Sequence, residues 1–124
     1  GSNATHEACD LAKHAQDVGA DAILSITPYY NKPTQEGLYQ HYKAIANSVE
    51  IPFMMYNVPG RTGVDLDANT TIRLFDDVKN IYGVKEATGS LERAICLLSQ
   101  RKDFIVISGD DAIDFPMLAM GQKE

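Results

Sequence analysis

Ile81-Tyr82-Gly83-Val84-Lys85-Glu86-Ala87-Thr88-Gly89-Ser90-Leu91-Glu92-Arg93-Ala94-Ile95-Cys96-Leu97-Leu98 holds one complete structural unit. Ile81 to Val84 is a short apolar run, which predicts a buried strand. Lys85-Glu86-Ala87-Thr88-Gly89 is the polar segment that follows it. Ser90 then has the side chain to cap a helix carrying Leu91, Ile95 and Leu98 at helical spacing. The same design extends outward in both directions. Upstream, a helix over Thr5 to Val18 carries Ala8, Leu11, Ala12 and Ala15, and Gly19 can stop it. Ala22 to Ile26 is a strand ending at Thr27-Pro28. Thr34-Gln35-Glu36 starts a helix through Leu38, Tyr42, Ile45 and Ala46. Pro52 to Tyr56 is the next strand, ending at Asn57-Val58-Pro59-Gly60, and Asp67 or Asn69 caps a helix through Ile72, Leu74 and Phe75. Downstream, Phe104 to Ile107 is a strand ending at Ser108-Gly109-Asp110-Asp111, with Asp111 as the cap of a helix over Asp114 to Met120.

Near-continuous apolar strands alternating with helices predict an α/β fold with a parallel sheet. The strand period of roughly 25 to 30 residues suits repeated βα units. A doubly wound sheet and part of a (β/α)8 barrel both fit the pattern. No G-x-G-x-x-G occurs, so dinucleotide binding loses support. No linker interrupts the run, and residues 1–124 read as a single domain.

The 124 residues are 44% apolar and 23% charged, an ordinary globular composition. A formal net charge of −6 argues against nucleic acid as a partner. No apolar run approaches the length of a membrane span. Cys9 and Cys96 lie far apart in helical patterns and read as buried free thiols, in keeping with a reducing cytoplasm. His6, His14 and His41 read as surface or interface residues. Gly1-Ser2-Asn3-Ala4 lacks the build of a signal peptide. The chain begins without Met and stops at Gly121-Gln122-Lys123-Glu124 with no recognisable element ending, which suggests an excerpt.

Polar residues gather just after each strand, where both architectures put their sites. Lys85 closes an apolar run. It is either a lysine at the strand mouth reaching solvent or a nucleophile whose amine is freed by desolvation. Tyr56 ends the preceding strand and is a rim aromatic or a proton shuttle that needs a partner group. Arg61, in Pro59-Gly60-Arg61-Thr62-Gly63, is a solvated loop arginine or a clamp for a substrate carboxylate. Tyr29 and Tyr30 follow Pro28 and suit loop packing or an interface. Gly109-Asp110-Asp111 lacks the His or third carboxylate that a metal site needs, and no metal or other cofactor is expected.

Taken together, Thr27-Pro28-Tyr29-Tyr30-Asn31-Lys32-Pro33-Thr34-Gln35-Glu36-Gly37, Tyr56-Asn57-Val58-Pro59-Gly60-Arg61-Thr62-Gly63, Gly83-Val84-Lys85-Glu86-Ala87-Thr88-Gly89 and Ser108-Gly109-Asp110-Asp111 resemble the dihydrodipicolinate synthases in order and spacing. The resemblance runs the length of the chain and places it in the superfamily of pyruvate-dependent class I aldolases and N-acetylneuraminate lyases. It implies a (β/α)8 TIM barrel of which this chain covers about half, with four parallel strands and flanking helices. It also implies a Schiff-base lyase that condenses pyruvate with aspartate semialdehyde in lysine (diaminopimelate) biosynthesis.

By the same resemblance, Lys85 forms the imine and Tyr56 relays protons. Tyr30 is the tyrosine contributed across a dimer interface, in a homo-oligomer that is a dimer of dimers. Arg61 binds the semialdehyde carboxylate, and Gly109 lines the substrate pocket. Asn3, Glu7 and Tyr29 match a lysine effector site. The Gly-Thr-Thr-Gly-Glu segment that holds the pyruvate carboxylate is not in this chain, so the chain alone is expected to be inactive. Two rivals remain: a sugar-acid lyase of the same superfamily, disfavoured by Arg61, and a non-catalytic half barrel that only associates. Association would use the open strand edges and an apolar patch of Met54, Val58 and Ile107.

Overall fold

The computed structural model describes residues 1–123. Its elements, in chain order, are α1 (Thr5–Asp17), β1 (Ile23–Ile26), α2 (Gln35–Asn47), β2 (Phe53–Asn57), α3 (Pro59–Thr62), α4 (Ala68–Asp77), β3 (Ile81–Glu86), α5 (Leu91–Gln100), β4 (Ile105–Ser108) and α6 (Asp111–Ala119). Side-chain oxygens satisfy the orphan amides at four helix starts. Thr34 accepts from the Gly37 amide, Asp67 from Thr70 and Ser90 from Arg93. At α6 the cap is Asp110, which accepts from the Ala112 amide at 3.0 Å, and not the expected Asp111. Asp110 is the last residue with extended backbone, and Asp111 is already helical, so its side chain cannot fold back to the helix start. The short helix α3 was not foreseen. Among the described residues no helix is long and apolar enough to cross a membrane.

The four strands are parallel and follow sequence order, β1-β2-β3-β4. Residues paired across parallel strands share a face, so the register sorts side chains into rows. Ser25, Met55, Val84 and Val106 form one row, and Ile26, Tyr56, Lys85 and Ile107 form a row on the opposite face. Met55, Val84 and Val106 pack into a single apolar core with Ala8 of α1, Tyr42 and Ile45 of α2, Leu74 of α4, Leu97 of α5 and Met117 of α6. The helices therefore cover one face. Lys85 and Tyr56 emerge together from the other, as the sequence led us to expect.

That placement depends on an irregularity in β3. Phe53 pairs with Ile81, yet Met54 pairs with Gly83, so Tyr82 is an extra residue in the register. Ile81 and Val84, three apart, both join the core. Strict alternation from Ile81 would have turned Lys85 toward the helices.

Five side chains depart from expectation. His41 is buried, because it shares the inward stripe of α2 with Leu38, Tyr42 and Ile45; its Nδ1 lies 2.8 Å from the Thr5 hydroxyl. Burial pushes its pKa down to about 4. Met54 and Val58 are also buried and add no exposed apolar patch; Met54 lies in a central strand between Leu24 and Gly83, while Leu24, on edge strand β1, is the exposed member of that row. Cys9 and Cys96 are free thiols, half-buried where full burial was expected.

Gly83 is required by close approach. A Cβ there would run into the Ile105 carbonyl oxygen and come within 3.0 Å of the Ile105 Cβ. Gly83→Ala should therefore force β4 away from β3 and cost about 3 kcal/mol of stability, the upper range for overpacking. A denaturant midpoint equal to that of the parent chain would contradict this.

Candidate active site

β3 extends two residues beyond the expected strand, so Lys85 is a strand residue near its carboxyl end. Tyr56 is its lateral partner on β2, and the Lys85 Nζ lies 4.9 Å from the centroid of the Tyr56 ring. Both side chains are half-buried. A cation over a ring face is held electrostatically, which keeps the amine at the rim rather than free in solvent. Gly109 enters the same corner from the end of β4. A Cβ at Gly109 would come within 2.8 Å of the Ala87 Cβ and 3.3 Å of the Lys85 Cε. The missing side chain leaves the lysine stem its space.

An open cleft of about 560 Å³ lies above this corner. Tyr56, Val58 and Arg61 line one side, and Gly109, Asp110 and Asp111 the other. Pro59 at the first turn of α3 and Gly63 in the left-handed conformation after it close a single turn that presents Arg61. Arg61 is exposed and belongs to no ion pair among the described residues. Lys85 does not itself line this cleft; it lies behind Tyr56 and Gly109, which do. A guanidinium exposed at such a cleft has the geometry to receive a carboxylate in paired hydrogen bonds. No cluster of three metal-ligating side chains occurs among the described residues.

Tyr30 is not part of the Lys85–Tyr56 corner. It lines a neighbouring cleft with Tyr29, Lys32, Arg61, Thr62 and Gly63, and is 89% exposed. Its backbone is left-handed at φ 73°, a conformation that costs a non-glycine residue energy, and the hydrogen bond from its amide to the Thr62 carbonyl at 3.2 Å holds it there. Asn3 donates to the Tyr29 carbonyl at 3.1 Å, and Asn31 donates to the Asn3 carbonyl at 3.1 Å. Glu7, in the first turn of α1, accepts from the Ser2 hydroxyl at 2.7 Å. The structure thus brings Asn3 and Tyr29 together, with Glu7 one turn away on α1.

Sequence reasoning missed a polar cluster behind Lys85. Glu86 alternates to the helix side and is only 3% exposed. The Asn57 amide nitrogen lies 3.3 Å from its Oε1, and Arg93 of α5 forms an ion pair with it at 3.7 Å. Burial pushes the Glu86 pKa up to about 7, opposed by the charge of Arg93 and by hydrogen bonds from Asn57 and Thr88. The available signal was positional: Asn57 follows Tyr56 and Glu86 follows Lys85.

Over residues 1–124 the chain matches the Dihydrodipicolinate synthetase family. It is 80% identical over 123 residues to the 4-hydroxy-tetrahydrodipicolinate synthase of Aliarcobacter butzleri, covering 99% of this chain and 42% of that protein. The chloride-inhibited dihydrodipicolinate synthase of Acinetobacter baumannii, solved in complex with pyruvate, is 54% identical with a TM-score of 0.94, over 98% of this chain and 42% of that one. The synthase of Cyanidioschyzon merolae, solved with lysine bound, is 43% identical with a TM-score of 0.94, over 98% and 41%. The chain spans about two fifths of the length of the curated relatives it matches. Its four parallel strands and flanking helices correspond to that share of the synthase TIM barrel.

The cluster makes a pH prediction. The folded-state pKa of Glu86, about 7, lies above its ordinary value of 4.5, so the folded chain holds this proton more tightly than the unfolded one. The resulting stability is full below about 4.5 and is lost as pH rises toward 7. Measured against Glu86→Gln, the parent chain should lose stability across that window; parallel curves of unfolding free energy against pH would contradict it.

Proposed function

We propose, from the fact that this chain belongs to the dihydrodipicolinate synthetase family, that it is the imine-forming part of a 4-hydroxy-tetrahydrodipicolinate synthase. The observation that carries this reading is Lys85 beside the Tyr56 ring on the helix-free face, with Tyr56 and Arg61 lining one cleft and Arg61 in no ion pair among the described residues. The Lys85 amine attacks the pyruvate ketone, and water leaves as the imine forms. The imine withdraws electrons, so the methyl group loses a proton and an enamine results. The enamine carbon bonds to the aldehyde carbon of aspartate semialdehyde, whose oxygen takes up a proton. The amine of the adduct then closes onto the imine carbon and expels the Lys85 amine.

Tyr56 passes protons in these steps, with Tyr30 supplied by a second subunit; the near-complete exposure of Tyr30 suits a residue that works across an interface. Arg61 holds the semialdehyde carboxylate, and Gly109 keeps the floor open beside Lys85. Lysine, an effector in this reading, binds at Asn3 and Tyr29, with Glu7 on α1 as a further contact. Residues 1–124 form one part of a larger barrel domain, in a cytoplasmic homo-oligomer, and the chain by itself lacks turnover. The reaction needs no metal or organic cofactor, because the imine on Lys85 supplies the electron sink.

In the complete enzyme, borohydride reduction with pyruvate should add mass at Lys85 alone, and labelling of Lys79 or Lys32 instead would overturn the assignment. Arg61→Ala should lower kcat/KM for the semialdehyde about 100-fold, the cost of a lost charged hydrogen-bond pair, and leave imine formation with pyruvate intact. Equal losses in both steps would make Arg61 a structural residue.

A further inference from the structure

The segment that presents Arg61 leaves the sheet at Asn57 and is tied back to the same residue. The Asn57 Oδ1 accepts from the Leu66 amide at 3.0 Å, and its Nδ2 donates to the Asp65 Oδ1 at 2.8 Å and lies 3.3 Å from the Leu66 carbonyl. One fully buried amide therefore closes the loop over residues 58–66 into a ring. Arg93 clamps that ring from α5, donating to the Leu66 carbonyl and, at 2.7 Å, to the Asp65 Oδ2. The same guanidinium pairs with Glu86, which in turn lies against Asn57.

The register makes this arrangement bear on the chemistry. Tyr56 pairs with Lys85, and the next pair along is Asn57 with Glu86. Tyr56 and Lys85 thus each have a chain neighbour anchored in the cluster behind the sheet. We propose that Asn57, Glu86, Arg93 and Asp65 are positioning residues that set the Arg61 loop against Lys85, and so align the carboxylate of the aldehyde substrate with the imine. This rests on the function proposed above and extends it to a set of residues that touch no reacting atom.

The physical case is one of compliance. α3 is a single turn, and Arg61 at its tip is exposed, so nothing at the tip fixes the guanidinium. Its place is decided where the loop is fastened: at its base by this cluster, and at Thr62 by the hydrogen bond from the Tyr30 amide. A guanidinium that meets a carboxylate, a carbonyl and a second carboxylate at once holds all three in a fixed relation, which an ammonium cannot do. An error of about 1 Å in such a placement is enough to cost a large factor in rate.

The test uses the complete enzyme with Asp65→Ala and Arg93→Lys. The Asp65 side chain is 49% exposed, so its removal opens no buried hole. Asp65→Ala should raise KM for aspartate semialdehyde about tenfold, with the rate of pyruvate imine trapping and the melting temperature unchanged. Hydrogen exchange should quicken in residues 58–66 and not in β2 or β3. Arg93→Lys should shift the same quantities in the same direction, because an ammonium keeps the charge but not the planar fork that bridges Asp65, Leu66 and Glu86. Loss of pyruvate trapping and semialdehyde turnover in equal measure would make the cluster merely structural and overturn the proposal. So would an unchanged KM with unchanged exchange. Failure of the parent enzyme to trap pyruvate on Lys85 would instead sink the functional reading, while the exchange measurement would still report whether the cluster fastens the loop.

Discussion

One extra residue in β3 decides which side of the sheet carries Lys85. Because Tyr82 interrupts the alternation between Ile81 and Gly83, the strand delivers Ile81 and Val84 to the helix-covered core and Lys85 to the open face. A side-chain period of two allows no compromise: shifting by one residue inverts every later position on the strand. The apolar core enforces the outcome, since Val84 and Val106 are fully buried and exposing that row would cost far more than bending the ladder once. The amine is thus aimed by residues that never touch it. Gly83 follows the extra residue directly, and a Cβ there would run into the Ile105 backbone of β4.

The two faces of the sheet divide the work. Behind it, the core ends at the carboxyl edge in charges and amides instead of aliphatic groups: Asn57, Glu86 and Arg93 replace the Met55 and Val84 layer beneath them. Burying an ion pair seldom adds stability in itself, and the raised pKa of Glu86 shows that desolvation here outweighs its partners. Such a cluster is explained better by geometry than by stability, since it fastens the base of a loop whose Arg61 side chain is exposed and belongs to no ion pair among the described residues. In front, the row of Ile26, Tyr56, Lys85 and Ile107 is half-buried throughout, a partly desolvated floor on which an amine and a phenol stand side by side.

The strained Tyr29–Lys32 segment follows the same logic at the end of β1. Tyr30 and Lys32 both have positive φ, and the hydrogen bond from the Tyr30 amide to Thr62 ties this loop to the one carrying Arg61. Backbone in so costly a conformation persists only where its surroundings over-determine it, here through that hydrogen bond.

Much of this was legible in the residues. The apolar runs around Leu24, Met55, Val84 and Val106, the caps Thr34, Asp67 and Ser90, and the polar segment after each strand determine a parallel α/β unit with its polar residues at one end. These are local properties: a run of β-branched and apolar side chains, or a hydroxyl next to free amides, acts the same way whatever lies far off in the chain. The resemblance carried by four short stretches pointed to Lys85, Tyr56 and Arg61; in the fold Tyr56 and Arg61 line one cleft and Lys85 stands beside the Tyr56 ring. The tertiary structure alone decided the bulge at Tyr82, the burial of His41 and Met54, and the joining of Asn57, Asp65, Glu86 and Arg93. Each of these depends on which distant residue lies opposite. Register, helix-on-sheet packing and the closing of a buried charge are settled only when elements separated by tens of residues meet, and no local pattern in the sequence encodes that meeting.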